Sequence, residues 1–235
     1  MLTEDIQTLE RYFSTGSVAS DWAEGRNNAE SALIYTKVPR RREGLEIARQ
    51  PGKFQCQVMW HIMKPFAAEL IRIYFCKFHP AFPILDRKAF LETYEHDRDK
   101  LSPALLCEFF AVALTVWSPS DELKRHQRPD YKFVWNLAVE ALHQDFLAPA
   151  LSTICSVLLD MSGRPVAGVL GNSLNNGRAV ALARSLRLNR NPGCCRRSSS
   201  EKALRLRLWW ATLIHDYWSV KLCLWSASQY KQQAI

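Results

Sequence analysis

Two pairs of side chains in this sequence have types and spacings that could do chemistry. His215 and Asp216 are adjacent, and an imidazole beside a carboxylate is the start of a divalent-metal site for phosphoester hydrolysis. Such a site needs further ligands, and no Asp or Glu follows Asp216. The pair reads better as polar groups that bond to Arg205 or Thr212 within neighbouring turns of one helix. Cys76 and His79 are spaced so that the imidazole could activate the thiol. They flank a helix end among Tyr74, Phe75 and Phe78, where a thiol and a ring serve packing. Trp209 and Trp210 could stack on a planar ligand, but on so apolar a helix they read as core. The chain holds no glycine-rich phosphate loop, no G-x-S-x-G and no C-x-x-C, so nothing supports a nucleotide cradle, a hydrolase elbow or a structural zinc site. The expectation is no enzyme and no cofactor.

Charge points to a second chemistry. The net charge is +8, and Arg184 to Arg207 carries eight basic residues against Glu201 alone, a local net of +7. Such a patch could meet nucleic-acid phosphates. No recognition motif accompanies it, so Arg187, Arg190, Arg196 and Arg197 read as a solvated helix end and loop. Tyr35 to Leu45 (YTKVPRRREGL) is a second basic run around Pro39, open to reading as a nuclear localisation signal or as a solvated linker.

The element that positions the His-Asp pair is a helix from Ser198 to at least Ser219. Ser198 and Glu201 have capping-box spacing. Glu201, Arg205, Thr212, Asp216 and Ser219 form a narrow polar stripe, and Leu204, Leu206, Trp209, Trp210, Leu213, Ile214, Tyr217 and Trp218 fill nearly all the rest. A helix apolar over most of its circumference is predicted to be buried by neighbours, with the polar stripe toward water. Arg207 emerges from the apolar side and requires a carboxylate, helix-end carbonyls or a route to water.

Earlier segments supply the neighbours. Leu2, Ile6, Leu9 and Phe13 predict a short helix from about Thr3 to Gly16, and from Ser17 to about Gln57 the periodicity fades into a linker. Lys64 to Phe78 reads as a helix with Pro65 in its first turn, ending before Pro80. Asp86 is the expected N-cap of the next helix. Ser102-Pro103 opens a helix to Trp117, and Asp130 caps one to Phe146 with Phe133, Leu137, Val139 and Leu142 inward. Pro149 starts another, ending near Gly163. Asn172 or Ser173 caps the helix that holds Ala179, Leu182, Ala183 and Leu186. Loops are short, which predicts an all-α array of antiparallel helices with an irregular N-terminal linker.

Composition sets the outer bounds. The chain has 235 residues, 48% of them hydrophobic, enough for one sizeable core. Its acidic start, MLTEDIQTLE, does not read as a secretory signal, and the longest apolar run, ALLCEFFAVALTVW, is too short for a bilayer and contains Glu108. Seven cysteines without regular spacing fit free thiols in a reducing compartment.

Three stretches carry a resemblance. Tyr74 to Phe90 (YFCKFHPAFPILDRKAF), Asn176 to Pro192 (NGRAVALARSLRLNRNP) and Glu201 to Ser219 (EKALRLRLWWATLIHDYWS) resemble the middle homology region of fungal zinc-cluster transcription factors of the xylanolytic-activator type. Residues matching the family motifs are Tyr74, Phe75, His79, Pro80, Phe82, Pro83, Arg178, Leu182, Ala183, Leu186, Arg205, Arg207, Trp209, Trp210, His215 and Asp216. The resemblance implies an all-helical regulatory region of a nuclear transcription factor, acting through a small effector, the transcription machinery or self-association, and no membrane. DNA is a partner in the family through a six-cysteine cluster holding two zinc ions; that cluster is absent from these 235 residues, and zinc would belong to it. A helical interaction scaffold unrelated to transcription is the alternative, with a helical hydrolase behind it.

The layout this implies is residues 1–57 as N-terminal helix and basic linker, 58–219 as helical regulatory domain, and 220–235 as a tail that departs from the family. After Ser219 the family's glycine and proline are missing. That departure leads us to expect a frameshift, a retained intron or a truncation, and a last helix left partly uncovered.

Overall fold

The computed structural model describes residues 22–26, 32–36, 44, 49–164, 169–191 and 198–233, the backbone alone within 22–36, at 169–170 and over 219–233. The helix expected over Thr3 to Gly16 and the basic runs at 37–43 and 192–197 lie outside the described residues. The chain divides into two compact units at Gly44.

The first unit corrects one expectation. Within the stretch read as irregular, β1 (Trp22–Arg26) and β2 (Ala32–Thr36) pair antiparallel, with Trp22 opposite Thr36 and Arg26 opposite Ala32. Strands of five residues are too short to show a period by themselves, and β1, WAEGR, has only Trp22 among strand-favouring residues.

The second unit is helical: α1 (Lys53–Met63), α2 (Ala67–Ile73), α3 (Arg87–His96), α4 (Pro103–Thr115), α5 (Tyr131–Asp145), α6 (Leu151–Gly163), α7 (Val169–Ser185) and α8 (Ser199–Gln233). Among the described residues no helix is long and apolar enough to cross a membrane. The expected caps hold at four starts. Asp86, Ser102, Asp130 and Ser198 each accept from the backbone amide three residues on, at 3.0, 3.4, 2.9 and 3.2 Å.

The core is centred on α4, not on α8. Every residue from Ala104 to Leu114 is buried, and α4 packs against α1, α2, α5 and α6. The helix read as beginning at Lys64 is preceded by α1, whose Met59 and Met63 enter the core four residues apart; Pro65 sits in a 3-10 turn, Lys64–Phe66, that joins α1 to α2. Gly52 starts α1 at φ 71°, and a Cβ there would lie 3.0 Å from that of Ala141, so only glycine fits both backbone and space. On α5 the inward phase is Val134, Trp135, Leu137, Ala138, Ala141 and Leu142, while Phe133 is exposed and Val139 half-buried. The helix expected from Asn172 or Ser173 already runs from Val169.

A π turn, Tyr74–Phe78, follows α2, with the amide of His79 bonding the carbonyl of Tyr74 at 2.9 Å. Tyr74, Phe75 and Phe78, at positions i, i+1 and i+4, share one side of the helical segment and all enter the core. Tyr74 packs 4.4 Å from Phe109 of α4, ring centre to ring centre, and Phe90 of α3 stacks at 4.6 Å on the same ring. His79, expected to leave the helical region before Pro80, stays in it at φ −55° and ψ −35°.

Candidate functional site

The motif residues come together as polar ties between helices. The first tie joins α8 to the segment after the π turn. Arg207 donates from Nη1 to the carbonyl of Leu85 at 3.3 Å and from Nη2 to Oδ2 of Asp86 at 3.2 Å. His79 donates from Nε2 to the same Leu85 carbonyl at 3.0 Å, so both lone pairs of that oxygen are taken. Asp86 also caps α3 through Oδ1. Its carboxyl is held below the ordinary carboxylate range, first by the Ala89 amide and then by the Arg207 charge. The expected carboxylate is found in Asp86, while the carbonyl belongs to Leu85 in the segment before the α3 cap and not to a helix end, and Arg207 Nε is buried without a partner.

The second tie joins α7 and α8. Asn176, buried, donates from Nδ2 to Oδ1 of Asp216 at 2.9 Å. Arg205 donates to the carbonyl of Leu186 at 2.5 Å and lies 3.8 Å from Glu201. The third joins α6 and α8. Ser162 gives its single proton to the carbonyl of Leu158 at 2.7 Å, so His215 Nε2, 3.2 Å away, carries a proton and donates to the hydroxyl. Burial holds the His215 imidazole below its ordinary pKa. Beside these ties, Asp160 on α6 accepts from Arg164 at 2.9 Å and from Asn175 at 3.0 Å. Asp160 with Arg164 is an i,i+4 pair legible in the sequence, whereas the packing of α7 and α8 against α6 alone brings Asn175 to Asp160 and His215 to Ser162.

These ties invert the expected orientation of α8. Thr212 and Leu208 are wholly buried and Arg205 nearly so, so the polar stripe faces the protein. Thr212 bonds the carbonyl of Leu208 at 2.7 Å, which lets a polar residue sit inside without a long-range partner. The opposite face is apolar and open. Trp210 is 62% exposed, and Leu206, Ile214, Tyr217 and Trp218 lie between 42% and 58%. Trp210 is therefore not core, while Trp209 is half-buried and packs against it. The signal for this face was the rigid four-residue spacing of Leu206, Trp210, Ile214 and Trp218.

The other motif residues are placed as follows. Tyr74, Phe75 and Ala183 are buried, Phe82, Leu182 and Leu186 half-buried, and Pro80 and Pro83 exposed. Arg178 lies over the ring of Phe146 at 5.0 Å and lines a cleft of about 440 Å³ with His143, Leu182 and Ser185. His79, His215 and Asp216 have their ring or carboxylate atoms engaged in helix ties. Among the described residues no three His, Cys, Asp or Glu side chains converge to hold a metal.

In this helical array His79, Asp86, Asn176, Arg205, Arg207, His215 and Asp216 tie the array's own helices together. Residues 71–232 match the family described as the fungal specific transcription factor domain, and the chain belongs to that family. The match continues past Ser219, into the segment 220–235 where the family's glycine and proline are missing. The chain is 34% identical over 150 residues to an uncharacterized transcriptional regulatory protein of Schizosaccharomyces pombe, covering 63% of this chain and 23% of that protein. It is 29% identical over 167 residues to the transcriptional activator protein DAL81 of Saccharomyces cerevisiae, covering 71% of this chain and 17% of DAL81. The chain thus spans about a fifth of the length of these relatives. No solved structure matches it.

Proposed function

We propose that this chain is a regulatory, protein-contacting region of a fungal transcriptional regulator, acting in the nucleus without catalysis and without a cofactor of its own. The single observation that carries the reading is the open apolar face of α8 in a chain of this family. Large aromatic side chains grouped on one exposed face mark protein contact. Contact with DNA in a whole regulator, and the zinc that goes with it, is assigned to segments other than these residues. Fusing the chain to an unrelated DNA-binding domain in yeast and measuring a reporter tests the reading. Reporter transcription is expected to shift several-fold; an expressed nuclear fusion that leaves it unchanged overturns the proposal. The rival scaffold reading requires instead that the native protein show no chromatin association.

A small effector is the second reading, favoured by the cleft at Arg178. A guanidinium stacked on Phe146, with His143 and Ser185 nearby, suits an anionic group on an apolar body. A panel of aliphatic and aromatic carboxylates should then contain one that raises the melting temperature of the wild type and not of Arg178→Ala. A flat response throughout removes this reading.

A further inference from the structure

We infer that Cys56 and Cys107 form a peroxide-responsive thiol pair, in which Cys56 is oxidised first and Cys107 then closes a disulfide between α1 and α4. These two helices pack against each other. One turn on from each cysteine, Trp60 and Phe110 meet at 6.3 Å between ring centres. Residues one turn apart share a helix face, so the turn of α1 that carries Cys56 faces the turn of α4 that carries Cys107. There the two thiols are hydrogen-bond partners.

The two members are unequal, and the inequality assigns their roles. Cys56 is half-buried and open to a small oxidant, whereas Cys107 is wholly buried in the core. The hydrogen bond from the Cys107 thiol holds Cys56 below its ordinary pKa against the opposing effect of burial; the Arg98 charge lowers it further, and Asp99 opposes most weakly. Arg98 is fixed there by its place over the Trp60 ring, 3.8 Å from the ring centre, and Trp60 in turn meets Tyr94 edge-on. Burial raises Cys107 well above its ordinary pKa, so Cys107 keeps its proton and remains the donor. A part-exposed thiolate beside a cation, with a second thiol in reach, is the arrangement that makes a cysteine respond to peroxide. Cys155 has no such access, being buried and pushed up to about 12 by that burial. Cys76, exposed on the π turn, is the natural comparison.

The Cys56 thiolate attacks one oxygen of hydrogen peroxide. The O–O bond breaks, the sulfur gives up two electrons, and the products are the Cys56 sulfenic acid and hydroxide, which the proton first lost by Cys56 turns into water. Cys107 Sγ then attacks Cys56 Sγ, the S–O bond breaks, and the hydroxyl leaves as a second water with the Cys107 proton. A dithiol reductant reverses the link. The new S–S bond, about 2.05 Å long, ties α1 to α4, whose residues from Ala104 to Leu114 are all buried. It closes a loop that contains α2, α3 and Asp86. A cross-link removes conformations from the unfolded chain, so the oxidised form should melt at the higher temperature. The thiol pair stands apart from the regulatory reading, since a silent reporter fusion would leave this chemistry unaffected.

The test uses the whole chain, reduced and then freed of reductant. After about a tenfold excess of hydrogen peroxide and alkylation of the remaining thiols, peptide mass spectrometry should find Cys56 joined to Cys107 in most molecules and Cys76 alkylated. Dithiothreitol should undo the link. In Cys107→Ala, with circular dichroism as the control for folding, oxidation should stop at the Cys56 sulfenic acid, and dimedone should capture it at least about fivefold more than in the wild type. The oxidised wild type should melt several degrees above the reduced chain, a shift that Cys56→Ser abolishes. Cys56 and Cys107 both alkylated after peroxide, Cys56 joined to another cysteine, or Cys76 oxidised ahead of Cys56 would each overturn the proposal. So would equal dimedone capture in Cys107→Ala and wild type, the same yield of the link from chain unfolded in urea, or an oxidised chain that melts no higher than the reduced one.

Discussion

The guanidinium of Arg207 and the carboxylate of Asp86 are 121 residues apart in the chain and 3.2 Å apart in the fold. Asp86 has two duties there, since Oδ1 caps α3 and Oδ2 receives Arg207. Arg207→Ala strands the carboxylate and one lone pair of the Leu85 carbonyl, and should cost about 2 kcal/mol in urea unfolding. Asp86→Asn keeps the cap and loses only the charge, so it should cost less than Asp86→Ala, which forfeits about 1 kcal/mol more with the cap. A double-mutant cycle between positions 86 and 207 should be non-additive. Strict additivity would show that the ion pair contributes nothing.

Arg205 should behave like Arg207. A reading of the polar stripe as solvated would give Arg205→Ala an effect of less than about 1 kcal/mol. In the fold its guanidinium reaches the carbonyl of Leu186 at the end of α7, and the loss should be about 1 to 3 kcal/mol. Equal unfolding midpoints for Arg205→Ala and wild type would contradict that placement.

Acid should weaken the α6–α8 tie before it touches the carboxylates. Burial lowers the His215 pKa below its ordinary 6.5, so as pH falls through 6.5 the unfolded chain takes up a proton that the folded chain refuses. His215 thus contributes stability that is present above pH 6.5 and lost as pH falls toward the folded value. Asp86, also lowered, loses its contribution only as pH falls below its ordinary 3.8. Melting temperatures at pH 7.5, 6.5 and 5.5 should show a slope that His215→Asn flattens; an unchanged slope in the variant would refute the assignment.

Glu108 lies wholly buried in α4, and neither carboxylate oxygen has a hydrogen-bond partner. Burial, and then the charge of Asp160, raise its pKa well above the ordinary 4.5. The sign is opposite to that of His215. The folded chain keeps a proton that the unfolded chain releases above pH 4.5, so the contribution is present below that pH and lost as pH rises through the folded value. Glu108→Met removes the buried carboxyl at similar volume and should stabilise the chain at neutral pH by about 1 to 3 kcal/mol. Destabilisation by this change would show that Glu108 has a partner there.

Sequence alone determined what is local. Asp86, Ser102, Asp130 and Ser198 were legible as caps because a cap joins a side chain to a backbone amide three residues away. Arg207 was legible as needing a partner because a guanidinium among leucines and tryptophans must find acceptors. Which acceptors was not legible, since Leu85 and Asp86 arrive from the other end of the domain.

Tertiary structure decided which face of α8 points inward. By composition the apolar side should be buried, yet Thr212 satisfies its hydroxyl within its own helix, and Arg205, His215 and Asp216 find partners on α6 and α7. Arg205, Thr212 and Asp216 of the polar stripe each have a partner, so that part of it can be buried at little cost. The apolar face is then left at the surface, where Trp210 and Ile214 await the contact proposed for them. It also decided that α4 rather than α8 is the centre, and that Tyr74 to Phe78 widen into a π turn. Both depend on how many helices surround a segment, a quantity that periodicity along one helix does not contain.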